Sequence, residues 1–263
     1  MLAGSEISCL RAASPETLHN ASAELVATAR LPRIGPGPVI DGNLVPDLPD
    51  YLFLQGRFHK DIDILVSGDI DEVPLPPLPS AHLSIRADIT YKGSLFTNAS
   101  ETDFDDVIRR AFPDITASAL AEIQTFYPAQ NYPSVFSRLV AVTSDIRYNC
   151  HGYAMASSST PSAKRYRMLT TIPPGTHCTG ALTLTGFSLA TPELVKRFRR
   201  LVMNFVVFGD PNGEDGGVGS GVVFPEFKDA GQGLEISATD IKVSDLRGNP
   251  ELCTWWAKGL YTP

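Results

Sequence analysis

The sequence lacks any apolar run long enough to cross a lipid bilayer, which takes about 18 apolar residues in a row. Its most apolar stretch, Leu201 to Phe208, has only eight residues and includes Asn204. The first ten residues, MLAGSEISCL, lack both the basic region and the apolar region of a secretory signal peptide. We therefore predict no transmembrane segment and no signal peptide in the sequence as written, and the residues leave the localisation open.

Positive charge is also scarce. Lys and Arg number 22 against 29 Asp and Glu, so the 263-residue chain has a formal net charge of −7. Attachment to a nucleic-acid backbone depends on clustered Lys and Arg, and the missing basic stripe argues against a nucleic-acid partner. The four cysteines are too far apart for a zinc knuckle or a Cys-x-x-Cys pair, and we interpret them as buried or incidental thiols, with disulfide pairing left open: Cys9, Cys150, Cys178 and Cys253.

Two glycine-dependent motifs are absent as well. The glycine-rich stretch 213–221 lacks the strand, the helix and the lysine of a phosphate-binding loop, so we expect no nucleotide cofactor. No G-x-S-x-G nucleophile elbow occurs in the chain. Ser220 comes nearest, in G-V-G-S-G-V, but Val218 and Val222 stand where the elbow needs glycines.

The elements that the sequence does contain are typical of an α/β protein. Gly and Pro contribute 21 residues each, which favours a loop-rich α/β chain over a helical bundle. Apolar periodicity and capping residues predict these elements in order: a helix over 15–29, a strand over 62–66, a helix capped by Ser100, helices over 117–126 and 135–156, a strand over 166–172, a helix over 191–208 and a hairpin within 234–246.

Three acidic residues follow the predicted strand at 62–66. Asp69, Asp71 and Glu72 are expected just beyond its C-terminal end. Open α/β sheets place their ligand-binding and catalytic groups at this edge. The position of the three acids therefore indicates a functional loop, although an exposed acid is also common at the protein surface.

A set of short motifs runs along most of the chain: G-P-V-I-D-G at 37–42, V-P-D-L-P at 45–49, G-R-F-H-K at 56–60, D-E at 71–72, P-P-G-T-H at 173–177 and N-F-V-V-F-G-D-P-N-G at 204–213. In this order they resemble the second half of the type-B carboxylesterase and lipase family, the cholinesterase-like α/β-hydrolases, and its fungal members in particular. The resemblance implies an incomplete α/β-hydrolase fold with the later strands, the acid and histidine loops and the C-terminal helix. Residues 1–263 would then form a partial carboxylesterase type-B domain.

The resemblance also assigns site residues. Glu72 matches the acid and His177 the histidine of a Ser-Glu-His triad, while the nucleophilic serine and the oxyanion loop belong to the half that this chain does not contain. Asp69 or Asp71 could take the place of Glu72. His151, in N-C-H-G-Y at 149–153, is a rival for the histidine, but it falls in a predicted helix. Cys178 departs from the glycine that usually follows the family's histidine.

Residues 73–92 interrupt the family pattern. Relatives continue from the acid directly into glycine, whereas here Val73 follows Glu72 and the expected G-S-L-F begins only at Gly93. Removing 73–92 would restore D-E-G-S-L-F. We interpret the segment as a retained intron or a gene-model error, and a genuine surface insertion is the alternative.

The implied activity is carboxylic ester hydrolysis of lipase or carboxylesterase type. The full-length relative would act on a small-molecule or lipid ester, needs no cofactor or metal, and is often secreted. Without the serine, the acid and histidine have nothing to activate, so we expect the chain to be inactive alone. The alternative is a non-catalytic, cholinesterase-like binding module.

Overall fold

A four-stranded sheet lies at the centre of the computed structural model, which describes residues 4–28, 39–72, 103–158, 160–173, 175–228 and 231–259. The strands follow one another in space in chain order. The first two pairings, β1 with β2 and β2 with β3, are parallel, and β4 pairs antiparallel with β3. The four strands are β1 (Ile64–Asp69), β2 (Arg165–Thr170), β3 (Gln232–Ile236) and β4 (Ile241–Asp245).

The described part of the chain contains ten α-helices. They are α1 (Gly4–Ala12), α2 (Pro15–Thr28), α3 (Pro49–Leu54), α4 (Phe104–Ala111), α5 (Ala117–Phe126), α6 (Val135–Ser144), α7 (Cys150–Ser157), α8 (Thr179–Thr185), α9 (Pro192–Phe208) and α10 (Pro250–Ala257). A π-helical turn, Asp145–Asn149, joins α6 to α7. Short 3₁₀ turns occur at Ala129–Asn131 and Val218–Ser220.

Local signals explain where several helices begin and end. Thr191 caps α9 with its side chain and Pro192 follows at the first position, while Gly209 ends the helix in the left-handed region. The predicted helices over 117–126 and 191–208 are therefore confirmed. Asp103 caps α4, whereas the predicted cap Ser100 and the segment 73–92 lie outside the described residues.

Three sequence predictions need correction. The first strand begins at Ile64 rather than Ile62 and extends to Asp69, so Asp69 is the last residue of the strand and not a loop residue. The helix predicted over 135–156 is interrupted by a π-helical turn. The cysteines are not all unpaired, because Cys150 and Cys253 form a disulfide that ties α7 to α10 across 103 residues of sequence. Local sequence patterns do not show which cysteines, 103 residues apart, come together in the fold.

Helices cover both faces of the sheet, as a parallel sheet requires. On one face, α9 packs through Leu194, Phe198 and Leu201 in a cluster that includes Tyr166 and Met168 of β2. On the other face, Val66 of β1 packs in a cluster with Ala156 of α7, Phe227 and Leu246. Beyond α7, helices α4 to α6 and α10 form the largest apolar cluster, which contains Trp255 and Trp256. No helix in the described ranges is both long and apolar enough to span a membrane.

Candidate functional site

Glu72 and His177 follow neighbouring parallel strands and meet at the same edge of the sheet. Glu72 comes three residues after the end of β1, and His177 comes seven residues after the end of β2. A further bridge between Asp71 and Thr176 continues the parallel pairing, and the Asp71 N–H donates to the Gly175 carbonyl at 2.9 Å. The pairing of the two strands therefore brings together two loops that are 105 residues apart in sequence.

Glu72 is buried and is held by three contacts, two through its carboxylate and one through its backbone. Its Oε2 lies 2.7 Å from Nδ1 of His177, and its Oε1 accepts the Asp69 N–H at 2.9 Å. The Glu72 N–H donates to Oγ of Ser144, at the end of α6, at 3.1 Å. With both oxygens and its backbone engaged, Glu72 has one orientation, and that orientation presents an acceptor to the imidazole.

The His177 ring is half-exposed, with 40% of its side chain accessible. Hydrogen bonding to Glu72 raises the pKa of His177 most strongly, burial opposes this, and the charges of Glu72 and Asp69 raise it further. The ring of Tyr148, on the π-helical turn, lies beside the imidazole with 5.0 Å between ring centroids. Nε2 makes no hydrogen bond to any residue that the structure describes. A ring fixed at Nδ1 and open at Nε2 is arranged for proton transfer.

The histidine loop contains a strained backbone position. Cys178 has φ +72°, and it is the only non-glycine residue with positive φ among the described residues. That region of φ costs an L-residue roughly 1–2 kcal/mol relative to glycine. Glycine is therefore the residue expected in this conformation, and the cysteine here departs from it. The Cys178 thiol is exposed and not in a disulfide, and burial is the main cause that raises its pKa.

The other two acids occupy different positions. The Asp69 carboxylate accepts the Gly180 N–H, at the start of α8, at 2.9 Å. Burial raises the pKa of Asp69 from 3.8 to about 6; the Gly180 hydrogen bond opposes the shift and the Glu72 charge adds to it. Asp71 contacts the histidine loop through its backbone N–H. Of the three acids, Glu72 is the one whose carboxylate hydrogen-bonds to His177.

A second histidine–carboxylate pair lies elsewhere. Nδ1 of His151, on α7, contacts Oδ2 of Asp50, on α3. Both residues belong to helices, whereas Glu72 and His177 lie in loops that follow strands. His151 was the rival candidate from sequence, and the structure places it in the predicted helix.

A cavity of about 240 Å³ is lined by residues of β1, β2, the π-helical turn and α7. Its lining includes Glu72, Tyr148, His151, Met155 and Arg167. Burial lowers the pKa of Arg167 to about 10, an effect that nearby Tyr153 and Asp145 oppose. The cavity reaches the acid from the side of the sheet opposite α9.

Ser220 is not positioned as a nucleophile. It is buried, and its hydroxyl lies 2.8 Å from the Gly217 carbonyl and 2.9 Å from the Val222 carbonyl. Nor does any serine hydroxyl contact His177 within the described ranges. In the same part of the chain, no three His, Cys, Asp or Glu side chains are grouped as a metal site would require.

Sequence reasoning missed three residues that hold this pair in place. Ser144 and Tyr148 lie more than 70 residues from Glu72 and carry no motif, so nothing in the local pattern could have indicated them. Asp69 was considered only as a substitute for Glu72. The π-helical turn that carries Tyr148 is a feature often found at functional sites.

Comparison with known proteins gives a distant relationship. No protein-family model matches the chain. The carboxylesterase patB of Penicillium expansum is 23% identical over 251 residues, which cover 92% of this chain and 41% of patB. The chain thus spans about two-fifths of the length of the curated relative that it matches. It is distantly related to a carboxylesterase, and its mixed helix and strand architecture is compatible with an α/β fold.

Proposed function

We propose that residues 1–263 are the acid- and histidine-bearing part of a carboxylic ester hydrolase of lipase or carboxylesterase type, a partial carboxylesterase type-B domain. The observation that carries this proposal is the 2.7 Å contact between Glu72 and His177 at the ends of two neighbouring parallel strands. The distant similarity to patB, which is named a carboxylesterase, supports the same reaction class. The substrate of the full-length protein would be a small-molecule or lipid ester.

In the proposed mechanism, His177 acts as the general base. Nε2 removes the proton of a serine hydroxyl as that oxygen attacks the ester carbonyl, and later returns it to the leaving alcohol. Glu72 stays ionised and accepts a hydrogen bond from the Nδ1–H, which fixes the tautomer and stabilises the imidazolium that forms. The raised pKa of His177 is in the direction that this role requires, since the carboxylate favours the charged ring.

The serine must come from outside these 263 residues. The sequence contains no G-x-S-x-G, and Ser220 has its hydroxyl engaged by backbone carbonyls. Among the described residues, β1 pairs with β2 and leaves its other edge open. A strand that carries the nucleophile could pair with that edge and bring the serine to the carboxyl end of the sheet. We therefore propose that the chain alone does not hydrolyse esters.

The test has two steps: sequencing of the transcript, and measurement of ester hydrolysis by its product. The transcript is sequenced from well upstream of Met1 through codon 100, and the longest in-frame product is expressed and assayed with p-nitrophenyl butyrate. We expect an upstream G-x-S-x-G, and Glu72 spliced directly to Gly93. His177→Gln should then lower kcat by ~10³–10⁴-fold, the size expected for a triad residue.

His151→Gln is the matched control, because it removes the other histidine that contacts a carboxylate. It should leave kcat within about twofold, as is usual for a group outside the reaction. A larger decrease in kcat in His151→Gln than in His177→Gln would instead assign the general base to His151, paired with Asp50. A transcript that starts at Met1 and retains 73–92 would rule out the hydrolase for this chain and leave the non-catalytic binding module.

A further inference from the structure

Asp69 is a buried acid that the proposed mechanism does not use. Its backbone N–H donates to Oε1 of Glu72 at 2.9 Å, and its carboxylate accepts the N–H of Gly180 at 2.9 Å. One residue at the end of β1 therefore contacts both the acid loop and the histidine loop. The remaining contacts of Glu72, to Ser144 and to His177, do not reach the segment beyond the histidine.

The segment after His177 needs such an anchor. Cys178 adopts positive φ immediately before α8, and the first N–H groups of a helix have no partner within the helix. Gly180 lets the backbone approach Asp69, because an added Cβ would lie 2.8 Å from Oγ1 of Thr170 and 3.3 Å from Oδ1 of Asp69. The close approach therefore depends on two residues: Gly180 on α8, which has no side chain, and Asp69 on β1, whose carboxylate accepts the Gly180 N–H.

We propose that Asp69 is a positioning residue of this site: it fixes the His177 loop relative to Glu72, and its charge favours the imidazolium form of His177. The proposal rests on the assignment of Glu72 and His177 as acid and base. It extends that assignment by giving Asp69 a function of its own, whereas the sequence suggested Asp69 only as a substitute for Glu72.

The charges around His177 support the second part of the proposal. Glu72 and Asp69 both act to raise the pKa of His177, whereas Arg147 on the π-helical turn acts to lower it. Tyr148 lies beside the ring, and Cys178 follows in the same loop. Removing the Asp69 charge leaves Glu72 opposed by Arg147 and by burial, so the imidazolium loses part of its support.

The experiment is a titration of the His177 ring by NMR in the 263-residue chain, with Asp69→Asn, Asp69→Ala and the neighbouring Asp71→Asn compared with wild type. Asp69→Asn keeps an oxygen acceptor and loses the charge, and it should lower the pKa of His177 by at least ~0.5 unit. Asp71→Asn should leave that pKa within about 0.2 unit, since the main causes of the shift are burial, Glu72, Asp69 and Arg147.

Hydrogen exchange at the Gly180 amide tests the positioning part. Asp69→Ala, which removes the acceptor, should speed exchange by about tenfold or more, while Asp69→Asn should stay within about threefold of wild type. Unchanged His177 titration in Asp69→Asn, or equal Gly180 exchange in wild type and Asp69→Ala, would overturn the proposal. If Asp69→Ala does not fold, the isosteric Asp69→Asn still decides it through the titration.

These readouts are independent of ester turnover. An inactive in-frame product whose His177 still responds to Asp69→Asn would defeat the hydrolase proposal alone. An active product whose His177 titration ignores Asp69 would defeat the Asp69 proposal alone.

Discussion

Replacing Asp69 with asparagine should change the way in which stability depends on pH. Burial raises the pKa of Asp69 from 3.8 to about 6 in the folded chain. A difference of about two units, at about 1.4 kcal/mol per unit, means that ionised Asp69 destabilises the folded state by roughly 3 kcal/mol at pH 7. Asparagine keeps the shape and the oxygen that faces Gly180 but cannot ionise.

The sign follows from proton binding. The folded chain binds the Asp69 proton more tightly than the unfolded chain, so the contribution of this group to stability is best below pH 4 and falls as the pH rises through 6. Asparagine does not ionise, so Asp69→Asn does not lose this stability as the pH rises. Its free energy of unfolding, relative to wild type, should therefore increase by about 2–3 kcal/mol between pH 4 and pH 7.

Urea unfolding followed by tryptophan fluorescence measures this difference, because Trp255 and Trp256 are both buried in the folded chain. Asp245→Asn is the control without a pH-dependent difference in this window, since hydrogen bonding to Arg247 lowers the pKa of Asp245 to about 2 and its carboxylate stays ionised between pH 4 and pH 7. A stability difference between Asp69→Asn and wild type that stays constant within about 0.5 kcal/mol from pH 4 to pH 7 would refute the reasoning.

Three further predictions concern the same structure. Cys178→Gly should stabilise the chain by up to about 1 kcal/mol in urea unfolding because it relieves positive φ, whereas Cys178→Ala, which keeps the strain, should not. Replacing Cys150 and Cys253 by alanine should lower the free energy of unfolding by about 2–5 kcal/mol. Alkylation of the wild-type chain, unfolded without reduction, should modify only the other two cysteines. Tyr148→Leu should lower the pKa of His177 by about 0.5 unit in an NMR titration, while Tyr148→Phe, which keeps the aromatic face, should not; equal titrations in both variants would contradict a role for the ring.

Much of the secondary structure could be predicted because its signals are local. Thr191 and Pro192 at the start of α9 and Gly209 at its end each act within one helical turn, so both ends could be predicted from local residues. The first strand was also predicted, but its end was not, since extension to Asp69 depends on pairing with β2. Likewise, α2 was predicted from its cap and periodicity, but its described side chains from Pro15 to Leu25 are exposed, so periodicity alone did not indicate burial.

The sequence by itself determined which residues to examine: motifs that resemble those of the carboxylesterase family point to Glu72 and His177, and no G-x-S-x-G occurs in the chain. Their catalytic roles stay a prediction. Only the tertiary structure decided that the two side chains meet, that Asp69 faces Gly180 and not the imidazole, and that Cys150 pairs with Cys253. Each of these contacts joins residues more than 100 positions apart, and such contacts follow from strand pairing and helix packing, which no local pattern of residues encodes.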